Sequence, residues 1–217
     1  MIDLKLATGK KGLKVLCLGA HSDDIEIGCG GTVLKLIREY PAVEFDWVVF
    51  SAAGTRKKEA VASAAAFLKG VTRRTVKARS FKDGYFPYIG GEIKDYFEGL
   101  KKRVRPDLIF THFRSDLHQD HRLISELTWN TFRDHLILEY EVPKYDGDLV
   151  TPNVFVDLDE AVTRHKIQAI LKCFPSQSRN RWFTEDAFRA ILRLRGVESN
   201  SPTGFAEGFH GRKLRLF

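Results

Sequence analysis

The sequence predicts an α/β protein built on a mostly parallel sheet covered by helices. Three observations carry that expectation. Short apolar runs rich in Val, Ile, Phe and Trp alternate with longer stretches of helical period through the first half of the chain. Two of those runs end in clusters of His and Asp, at the sheet edge where open α/β proteins bind ligands. The 217 residues are 43% hydrophobic and 29% charged, enough apolar material for a sizeable core.

Residues 13–19 are the first expected strand, and residues 31–40 the first helix, which must end before Pro41. Residues 44–50, rich in β-branched and aromatic side chains, are the second strand. An Ala-rich helix follows over 56–68 and stops at Lys69-Gly70. A short strand over 72–80 leads to a turn at Lys82-Asp83-Gly84. Ile93, Phe97, Leu100 and Val104 set a helix over 92–104. Pro106 introduces a buried strand at 107–112, and a polar loop at 113–119 leads to a helix over 121–129. The second half is less regular. Strands are expected at 136–142 and 153–156, and an amphipathic helix at 159–174. Thr184 caps a helix to about Arg195, with Gly196 beyond its end. A final strand covers 204–211. No repeat, low-complexity tract or linker interrupts residues 1–217, so one domain is expected.

Composition narrows the function classes. No apolar run approaches the roughly 20 residues that span a bilayer. The N-terminal stretch lacks the apolar segment of a secretory signal. Cys17, Cys29 and Cys173 are too few and unevenly spaced for a disulfide framework, which suggests a cytoplasmic protein with free thiols. The net charge of +7 comes from scattered Lys and Arg without interleaved aromatics. That pattern argues against nucleic acid and allows an anionic small-molecule substrate, such as one bearing a phosphate or nucleotide.

The chemistry concentrates in two places. After the first strand come His21, Ser22, Asp23 and Asp24, then Gly28, Gly30 and Gly31, read as allowing tight backbone approach before the helix. The spacing is not the G-x-G-x-x-G of a dinucleotide site, because Gly19-Ala20-His21 stands in its place. After the strand at 107–112 come His112, Asp116, His118, Asp120 and His121. Taken together, His21, Asp24 and one histidine of the second cluster form a two-His, one-carboxylate set with open positions. Such a set suits zinc for hydrolysis or iron(II) for oxygen chemistry. Asp23 is then free to act as general base toward a metal-activated water. His118 can donate to an oxyanion or a leaving amine, with Asp120 holding its tautomer.

Ala20-His-Ser-Asp-Asp24 with Gly28-Cys-Gly-Gly-Thr32, and His118-Gln-Asp-His121, resemble the paired motifs of the LmbE-like (PIG-L) zinc N-deacetylases. The resemblance continues in Arg56-Lys-Lys-Glu59, Ser176-Gln177 and Phe205-Ala-Glu-Gly-Phe209. It implies a Rossmann-like, three-layer α/β/α fold and hydrolysis of the N-acetyl group of an amino sugar or sugar conjugate, nucleotide-linked and glycan-precursor forms included. It also implies Zn2+ as cofactor, with Fe2+ as the other divalent candidate, held by His21, Asp24 and His121. By the same match Asp23 is the base and His118 the oxyanion or acid residue, while Arg56 and Asp83 contact the sugar. The expected partner is a small-molecule N-acetyl amino sugar, and a homo-oligomer is compatible with the sequence. Two other readings are a zinc amidase for a larger acyl group or a thiol–sugar conjugate, and a metal-free binding module on the same fold.

The chain departs from the motif at Ser22, Gln119 and Ile25, with Glu26 one place beyond the motif's glutamate, and at Phe205, where the family has Tyr. Arg179, Arg181 and Trp182 read either as core packing with solvated arginines or as a lid that stacks on a ring and holds a phosphate.

Overall fold

The computed structural model describes residues 4–6 and 12–215. The N-terminal stretch read for a secretory signal lies mostly outside them. The strands are β1 (Lys14–Gly19), β2 (Glu44–Val49), β3 (Arg74–Ala78), β4 (Leu108–His112), β5 (Leu136–Tyr140), β6 (Val154–Asp157) and β7 (Ala206–Gly211). The helices are α1 (Asp24–Glu39), α2 (Gly54–Phe67), α3 (Gly90–Arg103), α4 (Gln119–Thr131), α5 (Glu160–Cys173) and α6 (Glu185–Glu198). Short 3₁₀ turns occupy Phe86–Ile89 and Pro175–Gln177.

All seven strands join one sheet in the order β3-β2-β1-β4-β5-β7-β6. The five from β3 to β5 run parallel. The last two pair antiparallel at one edge. Side chains alternate across β1, so Val15 and Cys17 join one core while Leu16 and Leu18 join another. Helices α1, α2, α5 and α6 pack their apolar faces into the first core; α3 and α4 pack into the second. The result is the expected three-layer α/β/α arrangement. The chain leaves β1 for β2 on one side and later returns to β4 on the other. That reversal is a topological switch point, and β1 and β4 lie side by side there, with the Ala20 N–H just past β1 donating to His112 at the end of β4.

Two helices differ from expectation, both at glycines. Helix α1 starts at Asp24, not Gly31, so Gly28, Gly30 and Gly31 lie inside it. A Cβ at Gly28 would stand 2.1 Å from Tyr140, at Gly30 2.6 Å from Phe67, and at Gly31 2.5 Å from Leu158. These glycines let α1 sit close against its neighbours, and that tertiary gain outweighs their poor helix propensity. Helix α6 likewise runs through Gly196 to Glu198, because a Cβ there would meet the Gly204 carbonyl oxygen at 2.2 Å.

The middle of α1 is held by a buried ion pair. Lys166 Nζ donates to Glu207 at 2.6 Å and to the Ile27 carbonyl at 2.6 Å. Glu207 accepts the backbone N–H groups of Gly31 and Thr32 at 2.7 and 2.6 Å. The glutamate of the Phe205-Ala-Glu-Gly-Phe209 motif therefore fastens β7 to α1. No helix of the described residues is long and apolar enough to cross a membrane.

Candidate metal centre

Strand β1 ends at Gly19, and the next turn presents His21 before α1 begins at Asp24. Asp23 occupies the N-cap of α1, yet its side chain makes no cap hydrogen bond. Its Oδ1 instead accepts from Arg56 Nη2 at 2.7 Å. On the other side of the switch point, β4 ends at His112, and α4 begins directly after His118. His118 caps α4, its Nδ1 accepting the Asp120 N–H at 3.3 Å. In the neutral ring this places the proton on Nε2.

Three donor atoms converge between the two clusters. His21 Nδ1 lies 3.1 Å from His121 Nε2 and 3.4 Å from Asp24 Oδ2. His121 Nε2 lies 3.5 Å from Asp24 Oδ2. Zinc bonds of about 2.0–2.1 Å at tetrahedral angles separate ligand atoms by about 3.3 Å. The three atoms thus have the spacing of one face of a zinc coordination shell. His112 Nε2 is also close, 3.2 Å from the same Asp24 oxygen. It accepts the Ala20 N–H at 2.9 Å, however, which engages its lone pair. His118, His121 and His21 form another cluster that could hold an ion, with His121 the buried member.

The electrostatics suit a cation. Burial alone would lower the pKa of His21, but Asp24, with Asp120 and Asp83, raises it well above the ordinary value. Three carboxylates around one imidazole make a pocket of negative potential. Burial and the neighbouring His112 push His121 down to about 3, so its ring is neutral, the form that binds metal. Burial raises Asp23, and Arg56 opposes that rise.

The remaining expected residues fall into place unevenly. Asp120 is buried beside the site, but its carboxylate does not hold His118. One oxygen lies 3.3 Å from His21 Nε2 and accepts the Gly84 N–H at 2.7 Å; the other accepts the Phe86 N–H at 3.1 Å. It orients His21 and anchors the loop that carries Asp83. Asp83 Oδ1 reaches His21 Nε2 at 3.0 Å from a largely exposed position. Arg56 Nη1 lies 3.4 Å from Ser176 Oγ and 3.5 Å from Glu59, so its guanidinium is anchored on the protein. Glu59 in turn accepts both the N–H and the hydroxyl of Ser176, at 2.9 and 2.6 Å.

Ile25 is core, and Glu26 is fully buried, burial raising its pKa to about 8 against the opposing effect of the nearby Ser63 hydroxyl. Phe205 lies under the Arg189 guanidinium, 4.7 Å from its ring centre. Trp182 packs edge-on against Phe183 and Phe188 while Arg179 and Arg181 are exposed, the core-packing alternative rather than the lid. One partner was not assigned from sequence: Asp116, whose Oδ2 lies 2.9 Å from His121 Nδ1. Its only sequence signal is an Asp five residues before His121.

The family model for PIG-L, GlcNAc-PI de-N-acetylase, matches residues 16–132. The fold is similar to that of N,N'-diacetylchitobiose deacetylase from Pyrococcus horikoshii, at 22% identity and TM-score 0.70 over 94% of this chain and 85% of that one. It is also similar to GalB, the 4-carboxy-2-hydroxymuconate hydratase of Pseudomonas putida KT2440, at 17% identity and TM-score 0.76 over 94% and 98%. A zinc-inhibited form of teicoplanin deacetylase Orf2 matches at 14% identity and TM-score 0.71 over 91% and 97%. A hydratase among these neighbours means that the reaction has to be argued from the site.

Proposed function

Because the chain belongs to the PIG-L family of de-N-acetylases, we propose that it is a metal-dependent hydrolase that removes the N-acetyl group from an amino sugar or sugar conjugate. The observation that carries this reading is the 3.1–3.5 Å spacing of His21 Nδ1, Asp24 Oδ2 and His121 Nε2. Those three atoms would hold the ion, with zinc favoured by the nitrogen-rich donor set. When bound, zinc lowers the pKa of its water to about 7 and polarises the amide carbonyl.

The protein's own groups supply the rest. Asp23 takes the proton of the attacking water through the oxygen that Arg56 leaves free, and Arg56 favours the ionised carboxylate that this step needs. His118 presents the proton on its Nε2 to the developing oxyanion as a hydrogen-bond donor, and the proton that Asp23 has taken passes to the leaving amine. Asp120 fixes the ring of His21. Asp83 is exposed enough to bind sugar hydroxyls at the mouth of the site. Ser22 and Gln119 replace motif residues that carry none of these functions.

The test is acetate release from free, nucleotide-linked and aglycone-linked N-acetylhexosamines, with and without zinc. Release from at least one of these with zinc, and none after chelation, is expected. Release of a longer acyl group in preference to acetate would move the substrate class, and no amide hydrolysis would refute the reading.

A further inference from the structure

His121 is buried, and what sets its ring is a chain of contacts leading away from the site. Its Nδ1 donates to Asp116 Oδ2 at 2.9 Å, which leaves Nε2 unprotonated beside His21 and Asp24. The other Asp116 oxygen accepts the His118 N–H at 2.8 Å and is paired with Lys144 Nζ at 3.0 Å. Asp116 therefore touches both histidines of the second cluster, one through its ring and one through its backbone. Lys144 stands in the loop after β5 and is itself nearly buried. It also pairs with Asp148 at 2.5 Å, and Asp148 accepts the Leu117 N–H at 2.8 Å. The loop is thus strapped across the segment between β4 and α4.

The geometry points to Asp116 and Lys144 as positioning residues that fix the metal-binding nitrogen of His121 and tie metal affinity to the loop after β5. This inference rests on the metal reading above. A carboxylate hydrogen-bonded to the far nitrogen of an imidazole fixes its tautomer and makes the near nitrogen a better ligand. A carboxylate with a single hydrogen bond could rotate about its last torsion. With Lys144 and the His118 N–H on Oδ1, Asp116 keeps Oδ2 on His121. A staple serving stability alone would need no carboxylate oxygen on the ring of a metal-site histidine.

The experiment is zinc competition against a chromogenic chelator, using the full chain, with thermal unfolding of the metal-free protein alongside. Asp116→Asn should weaken zinc binding by about 10- to 100-fold. Lys144→Met should weaken it several-fold, and Lys144→Arg should restore it. The absorption bands of the cobalt-substituted protein should shift in Asp116→Asn and in Lys144→Met. If Asp116→Asn does not fold, the Lys144 pair decides. Zinc affinity within about twofold of wild type in Lys144→Met, with only the unfolding temperature lowered, would overturn the inference while leaving the metal reading intact. A wild-type chain that takes up no zinc would overturn both.

Discussion

Arg56 donates to Asp23 across 2.7 Å, and Asp23 sits at the N-cap of α1 without capping it. A carboxylate at a helix start ordinarily bonds the free N–H groups of the first turn. Here it is turned to an arginine from another helix, and its second oxygen has no hydrogen bond among the described residues. Asp23→Asn should therefore keep the metal and lose about 10²–10⁴ in kcat, the usual worth of a general base. Arg56→Met should cost about 10- to 100-fold, as expected for losing a charge-assisted hydrogen bond of about 1.5–3 kcal/mol. Steady-state kinetics with metal analysis checks both; full turnover in Asp23→Asn would remove it from the mechanism.

The Lys166–Glu207 pair is expected to show strong coupling. Each side chain is nearly fully buried, so removing either alone leaves an uncompensated charge, at a cost of about 3–5 kcal/mol. Urea unfolding of Lys166→Met, Glu207→Gln and the double variant should give a double-variant cost well below the sum. Additive costs would mean that the two groups act independently.

Gly28 and Gly91 make opposite predictions for the same substitution. Ala at Gly28 meets Tyr140 and should lose about 1–3 kcal/mol through overpacking. Ala at Gly91, in α3 with open space around it, should gain up to about 1 kcal/mol from helix propensity. At about 2–4 °C per kcal/mol for a chain of this size, thermal melts resolve both.

His210, which is not among the proposed metal ligands, gives a further pH signature. Its ring stacks on Phe113 at 4.0 Å, and burial, with Arg195 adding to it, lowers its pKa to about 4. The unfolded chain takes up this proton near pH 6.5 and the folded one only near pH 4. Stability from this group is complete above about pH 6.5 and falls as the pH drops toward 4. His210→Gln should flatten that part of the curve in urea midpoints measured from pH 7 to 4.5, and an unchanged slope would discard the assignment.

The alternation of apolar runs was enough to place the strands and the layers, because a parallel sheet buried on both faces leaves a strong periodic signal. It did not place the start of α1. Gly28, Gly30 and Gly31 look like a loop until Tyr140, Phe67 and Leu158 are seen against them. The residues brought to the site, His21, Asp23, Asp24, His118 and His121, could be picked out because strand ends carry them in pairs. Their supporting partners could not. Asp120 turns to His21 rather than His118, and Asp116 meets His121 while Lys144, from the loop after β5, meets Asp116. Those pairings depend on how loops cross in space, which sequence spacing does not encode.

The most direct test is zinc titration of the chelator-stripped chain. Wild type and Asp23→Asn should each take up one zinc tightly, while His21→Ala, Asp24→Ala and His121→Ala should lose that site. No uptake by wild type, or undiminished uptake by His121→Ala, would contradict the account.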